Sequence, residues 1–87
     1  MKRWSVIFKM LGNINRIKII KMLHGKKGMS VTRISGELGI SFKSTSKHLI
    51  ILGNLEVLEY EGHSGHVSYA LNEHMPEDMR GALHLFL

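Results

Sequence analysis

Four polar side chains near the middle of the chain, those of Lys43, Ser44, Ser46 and Lys47, are suited to hydrogen bonding with nucleic-acid bases. Lysine ammonium groups donate to the acceptors of guanine, and serine hydroxyls donate or accept at several base edges. In a helix that buries its leucines, these side chains lie outward as a cationic, hydroxyl-rich face. We interpret them as residues that contact base edges in a major groove; the alternative is an ordinary solvated helix face.

Residues 30–52 have the spacing of a helix-turn-helix, which is the element that must position this face. The first helical pattern places Ile34 and Leu38 on one side, and Gly39 permits a left-handed turn at its end. Ser41 is a favourable N-cap for the second pattern. That second pattern directs four side chains inward, those of Thr45, His48, Leu49 and Leu52.

The remaining chain predicts three more helices and one hairpin. Apolar residues recur at helical spacing in residues 4–11, 14–24 and 76–87. Asn13 is the expected N-cap of the second of these helices, and the last helix begins at a proline.

Alternating residues predict strands at 55–61 and 66–72, with a loop at 62–65 that contains two glycines. Leu58 and Tyr60 are expected on one face of the first strand. The order helix, helix, helix, helix, strand, strand, helix is mostly α with a small β-hairpin and predicts a winged helix-turn-helix.

The positive charge is confined to the first part of the chain. Up to position 54 there are eleven basic residues and one acid, whereas from position 55 onward there are six acids and one basic residue. A polyanion is attracted to the first part and repelled by the second. We interpret several cations as contacts to the phosphate backbone: Arg16, Lys18, Lys26, Lys27 and Arg33. The alternative for Arg16 is that its side chain joins two helices by donating hydrogen bonds to backbone carbonyls.

The length of 87 residues indicates one domain over residues 1–87. Cysteine is absent, which excludes disulfides, thiolate metal ligands and thiol catalysis. The sequence has no stretch long enough to span a membrane, no phosphate-cradling glycine loop and no recognisable nucleophile–base pair. We therefore expect a cytoplasmic protein that is not an enzyme.

Two residues of the predicted fourth helix have two interpretations each. Phe42 either contacts a thymine methyl group or packs beneath the turn. His48 either contacts a base or belongs to the packed, hydrogen-bonded framework of the helix, and we favour the framework.

Four other histidines, His63, His66, His74 and His84, lie in or near the predicted hairpin and the last helix. His63 and His66 are at the hairpin tip, where each either meets the DNA backbone or minor groove or is an ordinary exposed residue. His74 has helical spacing to Glu77 and Asp78, as in a shared metal site, but a proline lies between them. We expect neither a metal nor another cofactor.

Three motifs, in this order and at these separations, resemble the ArsR-type winged-helix repressors of bacteria and archaea. They are Asn13-x-x-Arg16, Ser46-Lys47-His48-Leu49, and a glycine-containing hairpin that ends in Tyr69-Ala70-Leu71. The resemblance covers roughly residues 11–71 and implies a homodimer that binds palindromic double-stranded DNA. It also implies that the first and last helices form the dimer interface. The apolar stripes of these helices contain Trp4, Ile7, Met75, Met79, Leu83 and Phe86.

The chain departs from this family in three places. Ser30 and Thr32 stand where many members have metal-binding cysteines. The final ligand of a second family metal site, on the last helix, is missing. Glu56 stands where the family often has glycine. The function predicted is a sequence-specific DNA-binding regulator, as a repressor; the alternative is a winged-helix module that binds a protein, which the basic fourth helix disfavours.

Overall fold

Five helices and three short strands make up the fold in the computed structural model, which describes residues 2–87 apart from the side chain of His63. In chain order they are α1 (Lys2–Leu11), α2 (Ile14–Leu23), β1 (Met29–Ser30), α3 (Val31–Leu38), α4 (Phe42–Asn54), β2 (Leu58–His63), β3 (His66–Leu71) and α5 (Glu77–Leu83). The expected winged helix-turn-helix order is confirmed, with one added strand. Over the described residues, no helix is long and apolar enough to cross a membrane.

Side-chain caps define where three of the helices begin. Asn13 accepts hydrogen bonds from two backbone N–H groups of α2, at 3.0 and 3.2 Å. Ser30 and Ser41 each accept from the backbone N–H three residues further on, at 3.1 and 3.0 Å. These bonds satisfy donors that a helix leaves unpaired in its first turn, and they confirm the N-caps predicted for α2 and α4.

The last helix is shorter than the sequence predicts. It ends at Leu83 rather than at Leu87, and Pro76 precedes it. Beyond that point, the N–H groups of Leu85 and Phe86 bond to carbonyls three residues earlier, at 3.2 Å each. This tighter spacing belongs to turns at a helix end. The N–H of Leu87 bonds to the carbonyl of Leu83 at 3.1 Å, but the regular α-helix has already ended at Leu83.

The three strands form one antiparallel sheet in the order β1-β3-β2. Tyr69 of β3 is at the centre, opposite Tyr60 on one side and Met29 on the other. The sequence did not predict β1, because two residues show no periodicity. Its Met29 is fully buried and joins the segment before α3 to the hairpin.

The hairpin turn consists of two residues rather than four. His63 and His66 are paired across the strands, and only Ser64 and Gly65 form the loop. Both loop residues have positive φ, at 50° and 82°. This is the signature of a type I′ turn, whose twist matches that of the strands it joins.

Glu56 makes the turn that leads from α4 into the hairpin. Its φ is 63°, in the left-handed region. The N–H of Val57 bonds to the carbonyl of Leu52 and that of Glu56 to the carbonyl of Gly53, both at 3.0 Å. This pair of bonds is a Schellman motif, which favours glycine at the left-handed position. The chain therefore keeps the left-handed exit with glutamate in place of glycine.

The core lies between the helices and the inner face of the sheet. Its buried apolar residues are Ile7, Met10, Ile19, Ile20, Leu23, Met29, Ile34, Leu49, Leu52, Val57, Leu58, Met79, Ala82 and Leu83. Tyr60 shares a face of β2 with Leu58, as expected, but it lies further along the hairpin and is 70% exposed. Its ring lies against that of Tyr69, with centroids 5.7 Å apart.

Candidate nucleic-acid interface

The helix-turn-helix is held together by short polar contacts at its turn. Gly39 ends α3 with a φ of 71°, and its N–H bonds to the carbonyl of Ser35 at 2.9 Å. Ser41 then caps α4, and the hydroxyl of the buried Thr45 donates to the Ser41 carbonyl at 2.9 Å. These contacts fix the angle at which α4 leaves the turn.

Helix α4 is anchored by one face and presents another. Thr45, Leu49 and Leu52 are fully buried, as predicted. Lys43, Ser44 and Lys47 are exposed, whereas Ser46 is half-buried. The two lysines are four residues apart and therefore share a face of the helix. The ammonium groups of Lys43 and Lys47 therefore lie on the outside of the helix-turn-helix. Ser44 lies on one side of this pair around the helix, and Ser46 lies on the other.

Phe42, the first residue of α4, does not pack beneath the turn. Its side chain is 58% exposed. The interpretation that Phe42 packs beneath the turn is therefore wrong, because a ring in that position would be buried.

Arg16 holds the end of α1 rather than facing outward. Its guanidinium donates to the carbonyl of Met10 at 2.9 Å and to that of Lys9 at 3.2 Å. A further N–H lies 3.4 Å from Nδ1 of His48. Because these donors are engaged within the chain, we remove Arg16 from the predicted phosphate contacts; it is the tie between helices that the sequence left open.

His48 belongs to the framework of α4. Its side chain is half-buried, and its Nδ1 can accept from Arg16 only when that nitrogen carries no proton. Burial lowers the pKa of His48 below its usual value, and the charge of Arg16 lowers it further. The neutral ring therefore links α4 to α2 and, through Arg16, to the end of α1.

The other predicted phosphate contacts remain on the surface. Lys18, Lys26, Lys27 and Arg33 are exposed. Arg33 pairs with Glu37 at 3.9 Å, a loose and exposed ion pair of little strength.

The hairpin forms the wing beside α4. His66 and Val67 lie exposed near its tip, whereas the side chain of His63 lies outside the described residues. The acids Glu59 and Glu61 lie further back, on β2. Lys27 lines a recess with both of these acids. The tip turn itself, Ser64-Gly65, carries no acid.

The six predicted interface residues fall into two groups. Ile7, Met79 and Leu83 are buried in the core of the single chain, so they have no surface left for a partner, and their assignment to a dimer interface is corrected. The apolar spacing of α1 and α5 did not distinguish core from surface. Trp4 remains 42% exposed, and Met75 and Phe86 are half-buried.

A contact that the sequence did not predict joins the two terminal helices. Arg3 donates to the carboxylate of Asp78 at 2.8 and 3.2 Å. These bonds hold the pKa of the Asp78 carboxyl below its usual value. No sequence signal identifies a pair 75 positions apart.

Because the chain has no cysteine, its histidine and carboxylate side chains are the residues that could bind a metal ion. Within residues 2–87, no three histidine, aspartate or glutamate side chains that are described come close enough to hold a metal ion. Ser30, at one of the two family cysteine positions, uses its hydroxyl to cap α3.

The fold is shared with solved structures of transcriptional regulators. The regulator HlyU from Vibrio vulnificus has a TM-score of 0.76 at 25% identity, over 97% of this chain and 83% of its own. The repressor BigR from Xylella fastidiosa has a TM-score of 0.78 at 19% identity, over 98% and 81%. The homodimeric winged helix-turn-helix domain of Mb0332 from Mycobacterium bovis, described as a possible ArsR-family regulator, has a TM-score of 0.76 at 21% identity, over 97% and 74%. No protein-family profile and no curated protein matches the sequence.

Proposed function

This chain has the fold of ArsR-type winged-helix regulators, and we propose that it acts as one, binding a specific DNA sequence as a homodimer and repressing transcription there. The observation that carries the proposal is the exposed pair Lys43 and Lys47 on the outer face of α4. A helix anchored by its inner face and cationic on its outer face fits the major groove.

Charge and shape support the same partner. Further exposed cations lie on α2, on α3 and in the segment before β1, and phosphate contacts from such residues orient a protein on the duplex. Helix α4 itself carries no acid, and the one acid of α3, Glu37, is paired with Arg33. The tip turn of the wing also carries no acid, so it is the part of the hairpin that a phosphate backbone repels least.

Dimerisation through the terminal helices is the second part of the proposal. Trp4 and Phe8 form an exposed aromatic pair on α1, with ring centroids 5.9 Å apart. An exposed pair of this size suits burial against another protein surface. Mb0332 is described as a homodimer, and a second copy of this chain would place two recognition helices about one helical turn of DNA apart.

The test is selection of bound sequences from a random DNA pool, followed by titration of the best duplex and of random duplex at matched salt. We expect a palindrome that binds more tightly than random DNA, and a dimer by sedimentation. Lys47→Ala should weaken binding to the selected duplex by about 1–3 kcal/mol, because a base contact is lost.

Lys21→Ala is the matched control, since Lys21 is an exposed lysine on α2 outside the helix-turn-helix. It should leave the preference for the selected duplex unchanged. Loss of a contact to phosphate alone would weaken both duplexes equally and flatten the salt dependence by about 0.9 on the log–log slope. Equal affinity of the unmodified protein for selected and random duplex would contradict the proposal. If the chain instead co-purifies with another protein and does not bind DNA, the alternative of a winged-helix module that binds a protein would be supported.

A further inference from the structure

An exposed phenylalanine begins the recognition helix. Phe42 follows the cap residue Ser41, and 58% of its surface is open to solvent. A phenylalanine ring left in water forgoes much of the stabilisation that its burial would give. The position of this ring matters because the N-terminal residues of a recognition helix are those that reach base edges.

The ring stands in the corner between the recognition helix and the wing. Phe42 lines a recess of about 210 Å³ together with residues at the start of α3 and near the wing tip, which are Ser30, Val31, Thr32, Gly65, His66 and Val67. Val67 is itself exposed. Two apolar side chains, one from each of the elements proposed to meet DNA, therefore lie around the same recess.

The surroundings of this apolar patch indicate what covers it. Lys43 is adjacent to Phe42 in the helix, Lys47 lies one turn further along, and both are exposed. A partner seated here must be anionic and must also present a small apolar group. In the major groove of DNA, that apolar group is the C5 methyl of thymine.

We propose that Phe42 reads thymine by packing against its C5 methyl group in the major groove. This inference rests on the proposed DNA-binding function and adds to it a residue that determines specificity through an apolar contact. It assigns to α4 two kinds of readout, hydrogen bonding by Lys43 and Lys47 and methyl recognition by Phe42.

The experiment removes the methyl group and the ring separately and together. The duplex selected by the unmodified protein is resynthesised with each thymine replaced in turn by deoxyuridine, which lacks only the C5 methyl. Binding of each duplex is measured for the unmodified protein and for Phe42→Ala. Because the ring is exposed, Phe42→Ala should fold normally, which a thermal unfolding curve checks.

One thymine in each half-site should respond. Its replacement by deoxyuridine should weaken binding of the unmodified protein about fourfold, the loss expected for one buried methyl group. With Phe42→Ala the same replacement should have no effect. Ile51→Ala, which truncates an exposed apolar residue on the opposite side of α4, should preserve the difference between thymine and deoxyuridine.

The outcomes separate this inference from the proposed function. Specific binding with no thymine sensitive to deoxyuridine overturns the role of Phe42 and leaves the regulator proposal standing. The same conclusion follows if replacing one thymine by deoxyuridine weakens binding of Phe42→Ala as much as it weakens binding of the unmodified protein. If the unmodified protein binds no sequence specifically, both proposals fail; if a protein partner instead loses affinity with Phe42→Ala, the patch is a protein-docking surface.

Discussion

The recognition helix α4 and the first helix α1 are both anchored by buried apolar residues, yet they present different chemistry to the outside. The outer face of α4 carries Lys43 and Lys47, which water solvates well. The outer face of α1 carries the aromatic pair Trp4 and Phe8. This difference supports the two partners proposed above, since the paired ammonium groups of α4 suit a polyanion and the paired rings of α1 suit another apolar surface.

The two helices also differ in how they are tied to the body of the protein. Helix α4 is fixed by a cap at its start and by the Schellman motif at its end. The end of α1 is held by Arg16, and its start by the Arg3–Asp78 pair to α5. Fixed ends suit a helix that must fit a groove.

The largest effect is expected from breaking the anchor of α4. Leu49→Ala removes a fully buried side chain from the contact between α4 and the core. The loss of apolar contact and the cavity left behind should lower the free energy of unfolding by about 2–5 kcal/mol, as measured by denaturant titration. The neighbouring Ile50 is 55% exposed, so Ile50→Ala should cost less than about 0.5 kcal/mol. Equal losses from the two variants would mean that α4 is not anchored by this face.

A smaller effect, on association rather than folding, is expected from the aromatic pair of α1. Trp4→Ala combined with Phe8→Ala should raise the dimer dissociation constant by on the order of 10- to 30-fold, because truncating aromatic anchors costs interfaces the most. Sedimentation over a range of protein concentrations measures it. Phe42→Ala is the matched control, since Phe42 and Phe8 are similarly exposed, at 58% and 61%, but only Phe8 is on α1. A dissociation constant unchanged by the double variant would place the dimer contact elsewhere.

The contrast between these two helices also explains what the sequence could predict. In α4 the leucine spacing, the cap Ser41 and the turn at Gly39 all indicate the same arrangement, and the structure agrees with each of them. In α1 the expected stripe included Trp4 and Ile7, of which the structure buries Ile7 and leaves Trp4 42% exposed. Apolar periodicity marks a face that avoids water, but it does not say whether that face meets the core or a partner.

The features that the sequence missed depend on contacts between distant parts of the chain. Strand β1 exists because Met29 and Ser30 pair with β3, and two residues carry no pattern of their own. The role of Arg16 depends on where the end of α1 lies relative to α2. The sequence marked Glu56 as a departure from the family, but only the backbone shows that the left-handed turn is kept.

The smallest effect is expected at the contact between His48 of α4 and Arg16 of α2. This contact should weaken as the pH falls. Burial and the nearby charge of Arg16 lower the pKa of His48 in the folded chain. As the pH falls through the unfolded value of about 6.5, His48 takes up a proton more readily in the unfolded chain than in the folded one. Stability is therefore present above that pH and is lost as the pH falls toward the lowered pKa of the folded state.

The variant His48→Asn isolates this contribution, because the amide oxygen can accept from Arg16 as Nδ1 does but does not titrate. Unfolding free energies of both proteins, measured from pH 7.5 down to 5.5, should diverge as the unmodified protein loses stability that the variant keeps. The other histidines are common to both proteins and cancel in the difference. Parallel curves would mean that protonated His48 is tolerated beside Arg16, and that the contact at 3.4 Å does not help to hold α4 in place.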